Sequence, residues 1–285
     1  MIGWKALRDS IERYGESHEF TKLVMNLQCK DPDDAFSTVP YEKGATLLLY
    51  LENLLGQHTW DPFIPHYFTR FRNLSLDTND FKAALLDYFA EDTEAGDKLR
   101  RVDWNTWFHA PGYPPKPDFD SSLAEVCYAL ARKWKMFAGQ NKFAPESADN
   151  TSSSTFQPQQ SDIASWTANQ RVVFLEAVQD FKHPLTATAA QKMGVTYDFL
   201  TCKNVEVVSR YYAVALRAED KTVFGPVAKL LGSVGRMKFV RPLYRALAKA
   251  DWSFAMSTYE TNRAFYHPIC RTMVEKDFSM CKDET

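Results

Sequence analysis

The sequence predicts an all-α protein. Nearly every periodic segment carries apolar residues at helical spacing, and no Asn-Gly or Asp-Gly pair stands between two alternating runs as a β-hairpin would require. The breaks between periodic segments are filled by Pro, Gly, Ser, Asn and Gln, which favour turns over continued helix.

In chain order, the first helix is expected over Trp4–Tyr14. The clearest signal follows at Pro40–Leu55, where Pro40 suits a first turn, Ser37 or Thr38 can cap, and Leu47, Leu48, Leu51, Leu54 and Leu55 form a stripe ending at Gly56. Further helices are expected over Phe63–Phe71, Thr78–Phe89, Val102–Phe108 and Leu123–Phe137. The segment Gly112–Asp120, GYPPKPDFD, has three prolines that remove backbone donors and restrict the residue before each ring. It divides the chain into a first domain over 1–112, a linker over 113–122 and a second domain over 123–285. Gly139–Ser161 is poor in aliphatics and cannot repay its ordering entropy, so a mobile loop is expected there.

Beyond Ser165 short amphipathic helices succeed one another: Thr167–Phe181, Thr186–Met193, Val205–Ala218, Thr222–Leu231, Val240–Ala250 and Phe254–Phe265. Helix pairs on short turns build α-solenoids of the HEAT or armadillo kind, although no clean repeat period is present.

The 285 residues suffice for a sizeable core, and a formal charge of -2 gives no general reason to bind nucleic acid or an anionic membrane. No apolar run approaches the roughly 20 residues of a membrane span, and MIGWKALRDS lacks the layout of a signal peptide; a cytoplasmic protein is expected. Five scattered cysteines without a CxxC pair read as reduced thiols, mostly in packing roles.

No autonomous active site is visible. The six histidines form no HExxH or HxxxH pair, His58 and His66 are separated by Pro62 and Pro65, and GxSxG, P-loop and GxGxxG patterns are lacking, so no metal ligands or resident cofactor are assigned. The segment DPDDAFSTVPYEKG, residues 31–44, differs in kind. It gathers carboxylates and a phenol at the start of a helix, where backbone donors also point outward. Tyr41 placed there can donate to an oxyanion formed during carbonyl attack. The plainer alternative is that Asp31, Asp33 and Asp34 cap a loop and Tyr41 packs in the core with a wet hydroxyl.

VPYEKG with the preceding DPDDAFS resembles the segment after the zinc site in the gluzincin aminopeptidases of the leukotriene A-four hydrolase and aminopeptidase B type. GWKALRDSIERYGESHEFTKLV before it, VDWNTWFHAPGYPP after it and GRMKFVRPLYRALA from Gly235 resemble the same family in the same order. The resemblance implies the helical carboxy-terminal part of a thermolysin-like catalytic domain followed by the family's helical carboxy-terminal domain. It gives Tyr41 the role of binding the tetrahedral intermediate. Asp33 would recognise the peptide amino end and direct water in an epoxide reaction, and Arg236 and Lys238 would receive the substrate carboxylate. Gly235 is expected to end a helix, leaving Arg236 and Lys238 on an extended link where cations two apart point the same way. Without the resemblance, both would read as solvated surface cations.

Phe36 stands where leukotriene A-four hydrolase has a second tyrosine, a departure that bears on the epoxide reaction more than on peptide hydrolysis. The family's HExxH helix, later glutamate ligand and amino-terminal β-domain are not in this sequence. Zinc is therefore implied for the full-length family and not for this chain, which is expected to be inactive alone; substrates of the whole would be peptides or a lipid epoxide. The alternative is a non-catalytic helical scaffold offering a protein partner its solenoid surface, or peptides its cationic pocket.

Overall fold

A computed structural model describes residues 2–115, 120–140 and 156–283, of which the side chains at 139, 140, 282 and 283 are not described. The described residues are helical without any β-strand. They divide into two compact units, Met1–Asp120 and Ser121–Thr285.

The first unit contains α1 (Ile2–Tyr14), α2 (Val39–Leu55), α3 (Gln57–Trp60), α4 (Phe63–Arg70), α5 (Thr78–Tyr88), α6 (Thr93–Arg100) and α7 (Trp104–His109). Its main core joins Leu47, Leu51 and Leu55 of α2 to Trp60, Phe63, Leu85, Phe89, Leu99, Trp104 and Trp107. Leu7, Ile11 and Val39 make a smaller cluster between α1 and α2. Leu48, expected in the buried stripe of α2, is instead 42% exposed and Leu54 only part-buried, because the stripe turns towards Val39, Lys43 and Thr46. The expected cap also differs. Thr38 is the N-cap, but its hydroxyl donates to Ala6 O at 2.9 Å and bonds Ser10 Oγ at 2.7 Å, tying α2 to α1. Ser37 Oγ accepts from Val39 N at 3.2 Å. Elsewhere Asp77, Asp92 and Asp103 cap α5, α6 and α7 through their carboxylates.

The second unit contains α8 (Ser122–Gln140), α9 (Ala168–Gln179), α10 (Ala187–Thr196), α11 (Val205–Arg217), α12 (Phe224–Leu231), α13 (Met237–Ala250), α14 (Trp252–Asn262) and α15 (Pro268–Asp283). The long helices pack in series, α8 on α9, α9 on α11, α11 on α13 and α13 on α15, with α10 and α12 bracing α11 and α13 respectively. Tyrosines hold the series together by burying a ring and satisfying a hydroxyl: Tyr211 donates to Ala190 O, Tyr266 to Leu231 O, and Tyr197 to Asp162 Oδ2 while accepting from Trp134. Of the segment expected to be a mobile loop, 139–140 belong to α8, 141–155 lie outside the described residues, and Gln160–Ile163 form a short 3-10 turn. Of the proline-rich linker, 116–119 also lie outside them.

The cysteines are free, but only Cys127 and Cys270 are buried; Cys29 is exposed and Cys202 and Cys281 are partly exposed, so packing is not the main role of the five. No described helix is long and apolar enough to cross a membrane.

Candidate functional site

Tyr41, Glu42 and Lys43 are consecutive in the first turns of α2 and therefore point about 100° apart. Each side chain meets a different environment. Tyr41 faces outward and is 64% exposed, so it is not a core aromatic. Glu42 reaches α1, where Gly3 leaves room for its carboxylate that a Cβ would occupy. Lys43 enters the interior, 1% exposed, and donates to Thr21 O at 2.8 Å and Ala110 O at 3.1 Å. Burial lowers its pKa to about 8. Thr21 in turn accepts from Gly112 N at 2.8 Å, so one lysine ties the turn after α1 to the segment after α7. The start of α2 is thereby fixed and Tyr41 stands on a rigid base.

Asp33 lies in the loop before α2 and is exposed. The loop is ordered by two local bonds and one from α1: Asp31 Oδ1 accepts from Asp33 N at 2.9 Å, Ala35 N donates to Pro32 O at 3.2 Å, and Tyr14 donates to Asp34 O at 3.0 Å. Asp31 is thus the loop-forming carboxylate, while Asp33 presents its side chain outward. Phe36, at 60% exposure, accompanies Tyr41 on the surface of this unit.

Arg236 and Lys238 belong to the second unit, and their backbone corrects the expectation of an extended link. α12 ends at Leu231 with Gly232, not Gly235, as its cap; Arg236 is the extended N-cap of α13 and Lys238 is already helical. The apolar stripe of α13 begins at Phe239, which draws the helix start one turn earlier than Val240. Both cations remain exposed. The first turn of α13 has no side-chain cap and no acidic residue, so its positive end and the two cations add together in favour of an anion. Lys238 Nζ donates to Glu206 Oε1 at 2.7 Å, a partner 32 residues away that no local spacing could reveal.

Tyr41 and Asp33 therefore share the first unit, and Arg236 and Lys238 the second. Among the described residues no group of three or more His, Cys, Asp or Glu side chains is placed to hold a metal ion.

Two family models match the chain: residues 5–107 match the peptidase family M1 domain, and residues 166–278 match the carboxy-terminal domain of leukotriene A4 hydrolase. The chain is 56% identical over 283 residues to leucine aminopeptidase 2 of Emericella nidulans, covering 99% of itself and 44% of that protein. It is 56% identical over 277 residues to a leukotriene A-4 hydrolase homolog of Botryotinia fuckeliana, covering 97% of itself and 40% of that protein. Among solved structures, yeast LTA4 hydrolase in complex with bestatin superposes with a TM-score of 0.81 at 37% identity, over 97% of this chain and 45% of that one. The chain thus spans less than half the length of these relatives.

Proposed function

The chain belongs to the leukotriene A4 hydrolase family of M1 peptidases, and from that premise we propose that it is the part of an aminopeptidase that receives and polarises the substrate. The observation that carries this reading is the near end-to-end match of the chain to 44% of leucine aminopeptidase 2. Peptides are the proposed substrates, and with Phe36 in place of a tyrosine an epoxide is the less favoured one. A zinc ion, implied for the whole protein, would supply Lewis-acid polarisation and an activated water there. Among the described residues no group of three or more His, Cys, Asp or Glu side chains is placed to hold it. We further propose that the first unit completes a catalytic domain, that the second is the family's helical domain, and that the chain alone has no turnover.

The chemistry of the present residues follows from their placement. Carbonyl attack moves negative charge onto the carbonyl oxygen, and a phenol donor already in position stabilises that charge more than it stabilises the neutral carbonyl. Tyr41 meets this need because the buried Lys43 anchors its helix turn while its own hydroxyl stays accessible. Asp33 offers a carboxylate to the positively charged amino end of a peptide. Arg236 presents a forked pair of donors and Lys238 a point charge to a substrate carboxylate.

The test joins this chain to the part of the Emericella leucine aminopeptidase 2 that it does not span and measures hydrolysis of short peptides. Tyr41→Phe is expected to lower kcat by about 100- to 1,000-fold, whereas Arg236→Ala raises KM for peptides with a free carboxylate and leaves it unchanged for their amides. Full activity of Tyr41→Phe would remove the oxyanion role.

A further inference from the structure

Lys238, one of the two cations assigned to the substrate carboxylate, already has a partner of its own. Glu206 holds it through Oε1, and Oε2 of the same carboxylate accepts from Arg210 at 2.8 Å. Arg210 is held in turn by Glu176 at 2.6 Å, and both are well covered, at 14% and 12% exposure. Glu206 is also fixed from its backbone, since it stands in the first turn of α11, where Asn204 accepts from its N–H at 3.0 Å. Burial alone would raise the Glu206 carboxyl, but the bonds from Lys238 and Arg210 outweigh it and hold the group below the ordinary carboxylate range. A permanent, oriented anion therefore stands beside the candidate carboxylate site.

We propose that Glu206 is a specificity-determining residue for the carboxy-terminal residue of the bound peptide, favouring a basic side chain there and disfavouring an acidic one. The proposal rests on the reading of Arg236 and Lys238 as the carboxylate site. An ammonium has three donors, and Glu206 takes one, so a peptide carboxylate uses those that remain. By tetrahedral geometry at hydrogen-bond distances, the incoming oxygen lies about 4.5 Å from Glu206 Oε1. The side chain of that same terminal residue is then within reach of Glu206. Lysine or arginine meets an opposite charge that cannot move away, and aspartate or glutamate meets a like one. Partly exposed pairs of this kind are each modest, so about three- to tenfold in affinity is expected for either effect at low ionic strength.

The 285-residue chain is titrated at low salt with Ala-Ala-Ala, its carboxamide, Ala-Ala-Lys and Ala-Ala-Glu, and Kd is read from NMR shifts. The expected order of affinity is Lys over Ala over Glu, with Ala-Ala-Ala ahead of its amide. Glu206→Gln, which keeps the shape and a hydrogen-bonding oxygen, is expected to bring the Lys and Glu peptides within about twofold of each other while leaving the preference for acid over amide intact. Glu206→Asp, which keeps the charge, is expected to retain the order if Glu206→Gln fails to fold. An unchanged ratio of Lys to Glu peptides in Glu206→Gln, or an inverted order in Glu206→Asp, overturns the proposal alone. Equal binding of acid and amide by the parent chain removes the carboxylate site and the proposal with it.

Discussion

Among individual residues, Lys43 shows how the turn that carries Tyr41 depends on a group buried away from solvent. Its ammonium is buried beneath the Tyr41 turn and bound to two main-chain carbonyls. Its folded pKa, about 8, lies below the ordinary lysine value of 10.5, so between those values the unfolded chain holds a proton that the folded chain has released. Stability contributed by this group must therefore rise as the pH climbs through about 8 towards 10.5. Chemical denaturation from pH 7 to 10 is expected to show the parent chain gaining stability relative to Lys43→Met; a constant difference would mean that the amine titrates as if exposed. The motif singles out Tyr41 and Asp33 as candidates, but it does not show the inward turn of Lys43. A lysine beside a glutamate in a first helical turn ordinarily reads as surface, and only the carbonyls of Thr21 and Ala110, distant in sequence from it, explain its position.

At the level of helices, the sequence marked those with a wide aliphatic or aromatic stripe and missed those without. α6 buries Ala95, Gly96 and Leu99, a narrow face of small residues, and Gly96 lowers helix propensity. α15 places Asp277 on its inner face, where the carboxylate is buried and receives two bonds from Arg241 at 2.8 Å each. A charge in that position interrupts the apolar periodicity that marks an amphipathic helix. Close helix contacts were equally hidden. Gly194 in α10 lies where a Cβ would collide with the Tyr211 hydroxyl of α11, and that hydroxyl bonds Ala190 O. Gly194→Ala, although favourable to an isolated helix, is expected to destabilise the chain by about 1–3 kcal/mol as overpacking. Combining it with Tyr211→Phe is expected to recover part of the loss in thermal melts. A gain in stability from Gly194→Ala alone would contradict the packing described.

At the scale of the molecule, the first unit leaves one face of its central helix uncovered. α2 is apolar nearly all round, yet Tyr41, Ala45 and Leu48 form an exposed stripe on it, with Phe36, Phe68 and Leu74 also exposed in the first unit. A helix of that composition is ordinarily buried on every side, and the relatives contain more than half their length beyond what this chain spans. Leu48→Glu is expected to reduce concentration-dependent self-association in sedimentation without lowering the melting temperature; an unchanged profile would show that the stripe is inert.

Zinc content and aminoacyl-chromogen hydrolysis of the purified 285-residue chain, with Tyr41→Phe beside it, decide whether the proposed substrate-receiving part needs chemistry completed elsewhere. No stoichiometric zinc and no turnover are expected in either protein. Stoichiometric zinc, with turnover that falls in Tyr41→Phe, would overturn that reading and require a metal site within the chain.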